Sequence, residues 1–162
     1  MKSNFSLLLA EDDENDVFFL QRAFQQAKIQ NPILVVRDGQ ETIAYLSGEG
    51  KFSDRRQFPL PYLLLLDLKM PRKTGLDVLE WLHEQPELRC IPVIVLSSSA
   101  QRDDIERAYE LGANGFVVKP ANLEKRLELA KLIAAFWIDV NESPVVCTEG
   151  LEAARKLRAE RP

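Results

Sequence analysis

Five times along this chain a short apolar run gives way to an amphipathic stretch, and that alternation limits the fold more than any other feature. The runs are Phe5–Ala10, Ile33–Val36, Leu63–Leu66, Pro92–Leu96 and Gly115–Val118, and they read as strands. Between them, Glu14–Lys28 carries Val17, Leu20, Phe24 and Ala27 on one helical face. Gly39–Leu46 reads as a weaker helix. Gly75–His83 has Leu76, Leu79 and Leu82 at helical spacing, and Gln101–Leu111 is stopped by Gly112. Asn122–Val140 is a long helix with Asn122 as its cap. Five β-then-α units imply a parallel sheet covered on both faces. Right-handed crossovers favour a doubly wound α/β sheet, whose functional crevice lies at the carboxyl ends of the strands. Ser47–Pro61, polar and punctuated by Gly and Pro, reads as an extended surface loop. The expected organisation is one domain over residues 1–140 and a C-terminal extension over 141–162, the latter holding a short helical stretch with Leu151, Ala154 and Leu157.

Composition narrows the chemistry. Apolar residues make up 46% and charged residues 28% of 162, as in ordinary globular domains, and the net charge of -4 argues against nucleic acid as a partner. No apolar run approaches membrane-spanning length. Cys90 and Cys147 form neither a zinc spacing nor a CxxC, and no secretory apolar segment opens the chain, so a cytoplasmic, reducing compartment is expected. His83 is the only histidine, which removes Ser/His, Cys/His and multi-histidine metal chemistry.

Polar groups collect where the strands end. The first strand runs into Glu11 and Asp12, the third into Asp67, the fourth into Ser97 and the fifth into Lys119. Three carboxylates sharing one crevice raise each other's pKa unless a cation joins them. Mg²⁺ suits a site of carboxylates, water and phosphate oxygens. An aspartate on a rigid strand end can accept a phosphoryl group as an acyl phosphate, with a hydroxyl and an amine to meet the phosphoryl oxygens. Singly, each feature has a plainer explanation: acids after a strand cap the next helix, serines make turns, and Lys-Pro marks a loop. Their common position at one sheet edge favours the chemical reading.

Glu11-Asp12, Asp67 followed by Met70-Pro71 and Gly75, Ser97, Gly112-Ala113 and Lys119-Pro120 together resemble the response regulator receiver domain of two-component signalling, over roughly residues 5–140. The resemblance implies a flavodoxin-like strand order 2-1-3-4-5. It makes Asp67 the phosphoacceptor and gives Mg²⁺ to Glu11, Asp12, Asp67 and the backbone carbonyl of Lys69. Ser97 and Lys119 would contact the phosphoryl group, and Phe116 stands at the family's switch aromatic. Ser97 replaces a frequent threonine and keeps the hydroxyl. Phe116 lacks a phenol, so any switch there works by packing. The long loop before the third strand, the long last helix and the Phe136-Trp137 pair look like the small response regulators of cyanobacterial and bacterial phytochromes. A sensor histidine kinase is then the implied partner. The resemblance further implies a phosphoacceptor protein and not an enzyme in the ordinary sense. No output domain is expected after residue 140, so the signal passes through protein contacts to a further, unnamed protein.

The last helix carries two apolar stripes. Leu123, Leu127, Ala130, Ala134 and Trp137 form one; Leu129, Leu132, Phe136 and Val140 form the other. A sheet needs only one, so the second is expected to be a homodimer interface. Two other classes compete. A Mg²⁺-dependent phosphohydrolase of the haloacid dehalogenase type wants an aspartate two residues after its nucleophile, where Lys69 stands. A phosphorylation-independent interaction module would have no need of the full acid set.

Overall fold

The structure, a computed structural model, describes residues 5–143. Five parallel strands, β1 (Leu7–Ala10), β2 (Ile33–Val36), β3 (Leu63–Leu66), β4 (Val93–Ser97) and β5 (Gly115–Val118), form one sheet in the order β2-β1-β3-β4-β5. The helices α1 (Glu14–Gln26), α2 (Gly39–Ser47), α3 (Gly75–His83), α4 (Arg102–Glu110) and α5 (Leu123–Ile133) alternate with them. This is the doubly wound arrangement that the alternation implies, in the flavodoxin-like order that the resemblance implies.

The pleat divides the leucine runs between two cores. Leu64 and Leu66 join Leu8 and Ala10 beneath Tyr45, Leu79 and Ala108, on the side covered by α2, α3 and α4. Leu63 and Leu65 join Leu7 and Leu9 beneath Val17, Phe24 and Ala130, on the side covered by α1 and α5. All four residues of β3 are fully buried, each contributing about 2 kcal/mol of transfer free energy. The strand ends are thereby held firmly.

Helix termini follow local chemistry. Asp13 caps α1, accepting from the N–H groups of Asn15 and Asp16. Lys28 adopts a left-handed φ of 59° just past α1, where Ile29 N–H reaches back to the Phe24 carbonyl. That turn ends the helix at Gln26, short of the Lys28 that periodicity suggested. Asn122 caps α5 as expected, accepting from Lys125 N–H.

Two regions depart from the sequence reading. The segment 47–61 is more than a surface loop. It forms a 3₁₀ turn at Gly50–Phe52 and buries Phe52, whose ring lies tilted against Tyr45, while Phe58 meets both rings edge-to-face. Arg55 donates to the carbonyls of Tyr45, Leu46 and Phe58, satisfying the end of α2. Aromatic burial and one guanidinium thus order a connection of a length that is uncommon without regular secondary structure.

The last helix is not α-helical to Val140. From Ala134 to Val140 it widens into a π-helix. Continued α winding from Ile133 would turn Val140 inward. The wider turn brings in Ile138, which is 8% exposed, and leaves Val140 67% exposed. The buried stripe is therefore Ala130, Ile133 and Ile138, supported by the half-buried Leu129, Ala134 and Trp137. Leu123 is exposed, against expectation, because it precedes the turn that meets the sheet. Tyr62, just before β3, donates its hydroxyl to the Asn141 carbonyl and fastens the end of this helix. Among the described residues no helix is long and apolar enough to cross a membrane. The short helix expected around Leu151, Ala154 and Leu157 lies outside the described residues.

Candidate phosphoacceptor site

Register brings the acids together. Ala10 pairs with Leu66 across β1 and β3, so Glu11 and Asp67 emerge side by side one residue later. Backbone bonds extend the ladder past both strand ends: Asp67 N–H donates to the Ala10 carbonyl at 3.0 Å and Glu11 N–H to the Val36 carbonyl at 3.0 Å. Ser97 ends β4 opposite Val118, and Lys119 N–H donates to the Ser97 carbonyl at 2.8 Å. Four strand ends thus deliver the acids, the hydroxyl and the amine to one crevice.

Glu11 and Asp67 are buried, Asp12 is exposed, and one oxygen from each of the three lies within 4.8 Å of the others. Opposite ligands of a small octahedral cation stand about 4.2 Å apart, so modest side-chain adjustment closes the triad around one. All donors are hard oxygens, which suits Mg²⁺ or Mn²⁺. Lys69, exposed, follows at the mouth, with its N–H 3.4 Å from Asp67 Oδ1. The acids after β1 divide their duties. Asp13 serves as the helix cap, while Glu11 and Asp12 turn to the crevice; Glu11 Oε1 accepts from Asp13 N–H at 3.1 Å.

Lys119 is the local counter-charge. Its Nζ hydrogen-bonds Glu11 Oε2, meets Asp16 Oδ2 at 2.9 Å and stands 3.4 Å from Asp67 Oδ2. Burial pushes the Glu11 carboxyl up to about 7, assisted by the Asp67 charge and opposed by the bond from Lys119. Burial works against the charge on Lys119, but its bonds to Glu11 and Asp16 and the Asp67 charge outweigh that and raise its pKa. For Asp16, burial is likewise outweighed, here by Lys119 and Arg126, and its pKa falls.

Asp16 and Arg126 were not singled out in the sequence. Asp16 reads there as one more acid in the first turn of a helix. Arg126 Nη1 stands 3.2 Å from Asp16, its Nε donates to the Pro120 carbonyl at 2.8 Å, and its guanidinium covers the Phe19 ring. Beside this network a groove between α1 and α5 is floored by Leu20, Leu96 and Leu129.

The remaining predicted residues fall as follows. Ser97 is fully buried and its Oγ accepts from Ser99 N–H at 3.1 Å. Phe116 pairs with Val95 across β4 and β5 and rests half-buried against the α2–α4 core. Leu132, Phe136 and Val140 face outward. Leu129 does not join them; it packs inward against the α1–α5 core.

A doubly wound sheet that gathers acids, a hydroxyl and a lysine at its strand ends is the architecture of a receiver domain. The chain belongs to that family: the model for the response regulator receiver domain matches residues 7–131. Response regulator Rcp1 of Synechocystis is 33% identical over 138 residues, covering 85% of this chain and 92% of that protein. The crystal structure of the phosphorylated cyanobacterial phytochrome response regulator RcpA superposes with a TM-score of 0.81 at 36% identity, covering 87% of this chain and 99% of the other. The Mn²⁺-bound form of response regulator Rcp1 does so with a TM-score of 0.79 at 33% identity, with the same coverage.

Proposed function

We propose that this protein is a cytoplasmic response regulator that takes a phosphoryl group onto Asp67 from a sensor histidine kinase, with a phytochrome as the kinase class that its relatives favour. One observation carries the reading most: Asp67, buried at the end of a rigid strand, stands 3.4 Å from Lys119 and shares a cluster with Glu11 and Asp12. In the transfer a carboxylate oxygen of Asp67 attacks phosphorus, an O–P bond forms, and the P–N bond to the kinase imidazole breaks. Mg²⁺, held by Glu11, Asp12, Asp67 and the Lys69 carbonyl, would supply positive charge against the phosphoryl oxygens. Lys119, already beside Asp67, moves toward the new dianion as its Coulomb attraction exceeds that of Asp16. The Ser97 hydroxyl donates to a second phosphoryl oxygen. Drawing Ser97 and its loop inward opens space that Phe116 fills, which changes the surface around α4 and β5 and passes the signal to a downstream protein. That RcpA is described phosphorylated and Rcp1 Mn²⁺-bound supports both parts of this chemistry.

Phosphotransfer from a panel of phosphorylated histidine kinases tests the reading. Asp67→Asn and EDTA should each abolish labelling; full labelling of Asp67→Asn would refute the assignment. Ser97→Ala should still accept phosphate, yet show a smaller NMR shift change at Phe116 on adding beryllofluoride. An undiminished shift there would remove the relay.

The last helix adds a second element. Leu132, Phe136 and Val140 lie at successive steps of four and form an exposed apolar row. A second copy of the chain, presenting the same row across a two-fold axis, covers it most simply. Leu129, turned inward, is left out of this interface.

A further inference from the structure

The loop from Leu68 to Thr74 joins Asp67 to α3 and includes Lys69. Its ends are drawn together by Gly75 N–H, which donates to the Leu68 carbonyl at 2.9 Å. Its far side is fastened to the start of α2 at two consecutive residues. Arg72 meets the Asp38 carboxylate through Nε at 2.8 Å and Nη2 at 2.6 Å. The Lys73 carbonyl accepts from Gly39 N–H at 3.0 Å, so close that a Cβ on Gly39 would lie 2.1 Å from that oxygen.

Asp38 is itself held from several sides. It is buried, and its other oxygen caps α2 by accepting from Glu41 N–H at 2.7 Å, while its carbonyl accepts from the Thr42 hydroxyl at 2.7 Å. Arg72 holds a left-handed φ of 65°, a conformation that a non-glycine residue keeps only when its surroundings impose it. That turn directs the guanidinium back toward Asp38. Two attachments on adjacent residues restrain rotation as well as translation of the loop. Neither Asp38 nor Arg72 belongs to the acid cluster.

We propose that Asp38 and Arg72 are positioning residues for the cation site: their ion pair fixes the loop after Asp67 and so holds the Lys69 carbonyl where a divalent cation can take it. The proposal rests on the metal reading given above and adds residues that set the affinity without touching the ion. The carboxylates stand on strand ends and need no such help. The carbonyl stands on a loop and does.

The test is calorimetric Mg²⁺ binding by the full chain, together with amide hydrogen exchange over residues 68–75 in metal-free protein. Asp38→Asn keeps an acceptor for the α2 cap and removes the charge. Arg72→Ala removes the fork from an exposed side chain and carries the test should Asp38→Asn fold poorly. Each should raise the Mg²⁺ Kd about tenfold, and the double variant no further, since both break one link. Arg72→Lys should fall between, because an ammonium offers a single point of contact. Exchange at Lys73 and Gly75 should quicken in every variant. Folded variants whose Kd stays within about twofold of the parent would overturn the proposal and leave the pair a purely structural tie. Asp67→Asn distinguishes the other failure. If it binds Mg²⁺ as tightly as the parent, the metal reading falls and this proposal with it.

Discussion

The crevice and the outer face of the last helix invert the usual surface rule in opposite senses. At the crevice, carboxylates are buried; on the helix, large apolar side chains are exposed. Buried acids are informative because they need partners, and exposed apolar rows because they lack them. Here the acids find a partner inside the chain, in Lys119. Leu132, Phe136 and Val140 have none among the described residues that buries them. The difference separates a site whose resting charges are met within the chain from a surface that the described residues leave open.

The strongest way to break this comparison is at the balanced end. Lys119→Met would leave Glu11 and Asp67 buried without their counter-charge, and metal-free protein should lose about 3 kcal/mol in urea unfolding. Added Mg²⁺ should restore part of the loss. An unchanged midpoint would mean that the acids do not depend on the lysine. Next, the two sides of the last turn can be set against each other. Ile138→Ala should cost about 2 kcal/mol, and Val140→Ala less than about 0.5 kcal/mol. Equal costs would contradict the π-helical winding. Smaller again, Phe136→Ala should leave monomer stability almost untouched yet weaken self-association at least tenfold, equivalent to about 1.4 kcal/mol, in sedimentation at micromolar protein. A parent protein that sediments as a monomer would remove the interface.

The smallest effect concerns Asp38. Burial opposes its ionised form, but the Glu41 N–H and Arg72 outweigh that and hold its pKa below the usual 3.8. The folded state therefore binds its proton less readily than the unfolded state. The resulting stability is present above pH 3.8 and is lost as pH falls through the folded value. Asp38→Asn should flatten that acid limb of the stability curve, as read by circular dichroism.

These regions also differ in how far sequence reveals them. Strand ends are legible because a parallel sheet needs apolar runs and the next residue is then placed by register. Glu11, Asp67, Ser97 and Lys119 follow from that alone. Partners chosen across loops leave no periodic trace: Asp38 and Arg72 sit 34 positions apart in segments without pattern, and Asp16 and Arg126 each lie within mixed-charge helical turns. The winding of the last helix is hidden for another reason. One added residue per turn exchanges Ile138 for Val140, and both are β-branched aliphatics of equal standing in the sequence. The 47–61 segment hid its order because Phe52, Arg55 and Phe58 meet α2 and one another through irregular backbone, at spacings that follow no helix or strand period.

The bond from Tyr62 to Asn141 has a consequence for crowding around the molecule. Tyr62 immediately precedes β3 and Asp67 immediately follows it, so the two stand at opposite poles of one strand, about 17 Å apart at the rise of an extended chain. α5 starts near the phosphoacceptor pole and its continuation ends at the other. The proposed kinase at Asp67 and the proposed second copy along Phe136 and Val140 would therefore approach from different directions. If both partners proposed above bind, neither blocks the other's approach, and a probe attached near residue 143 would then report on assembly without obstructing phosphotransfer.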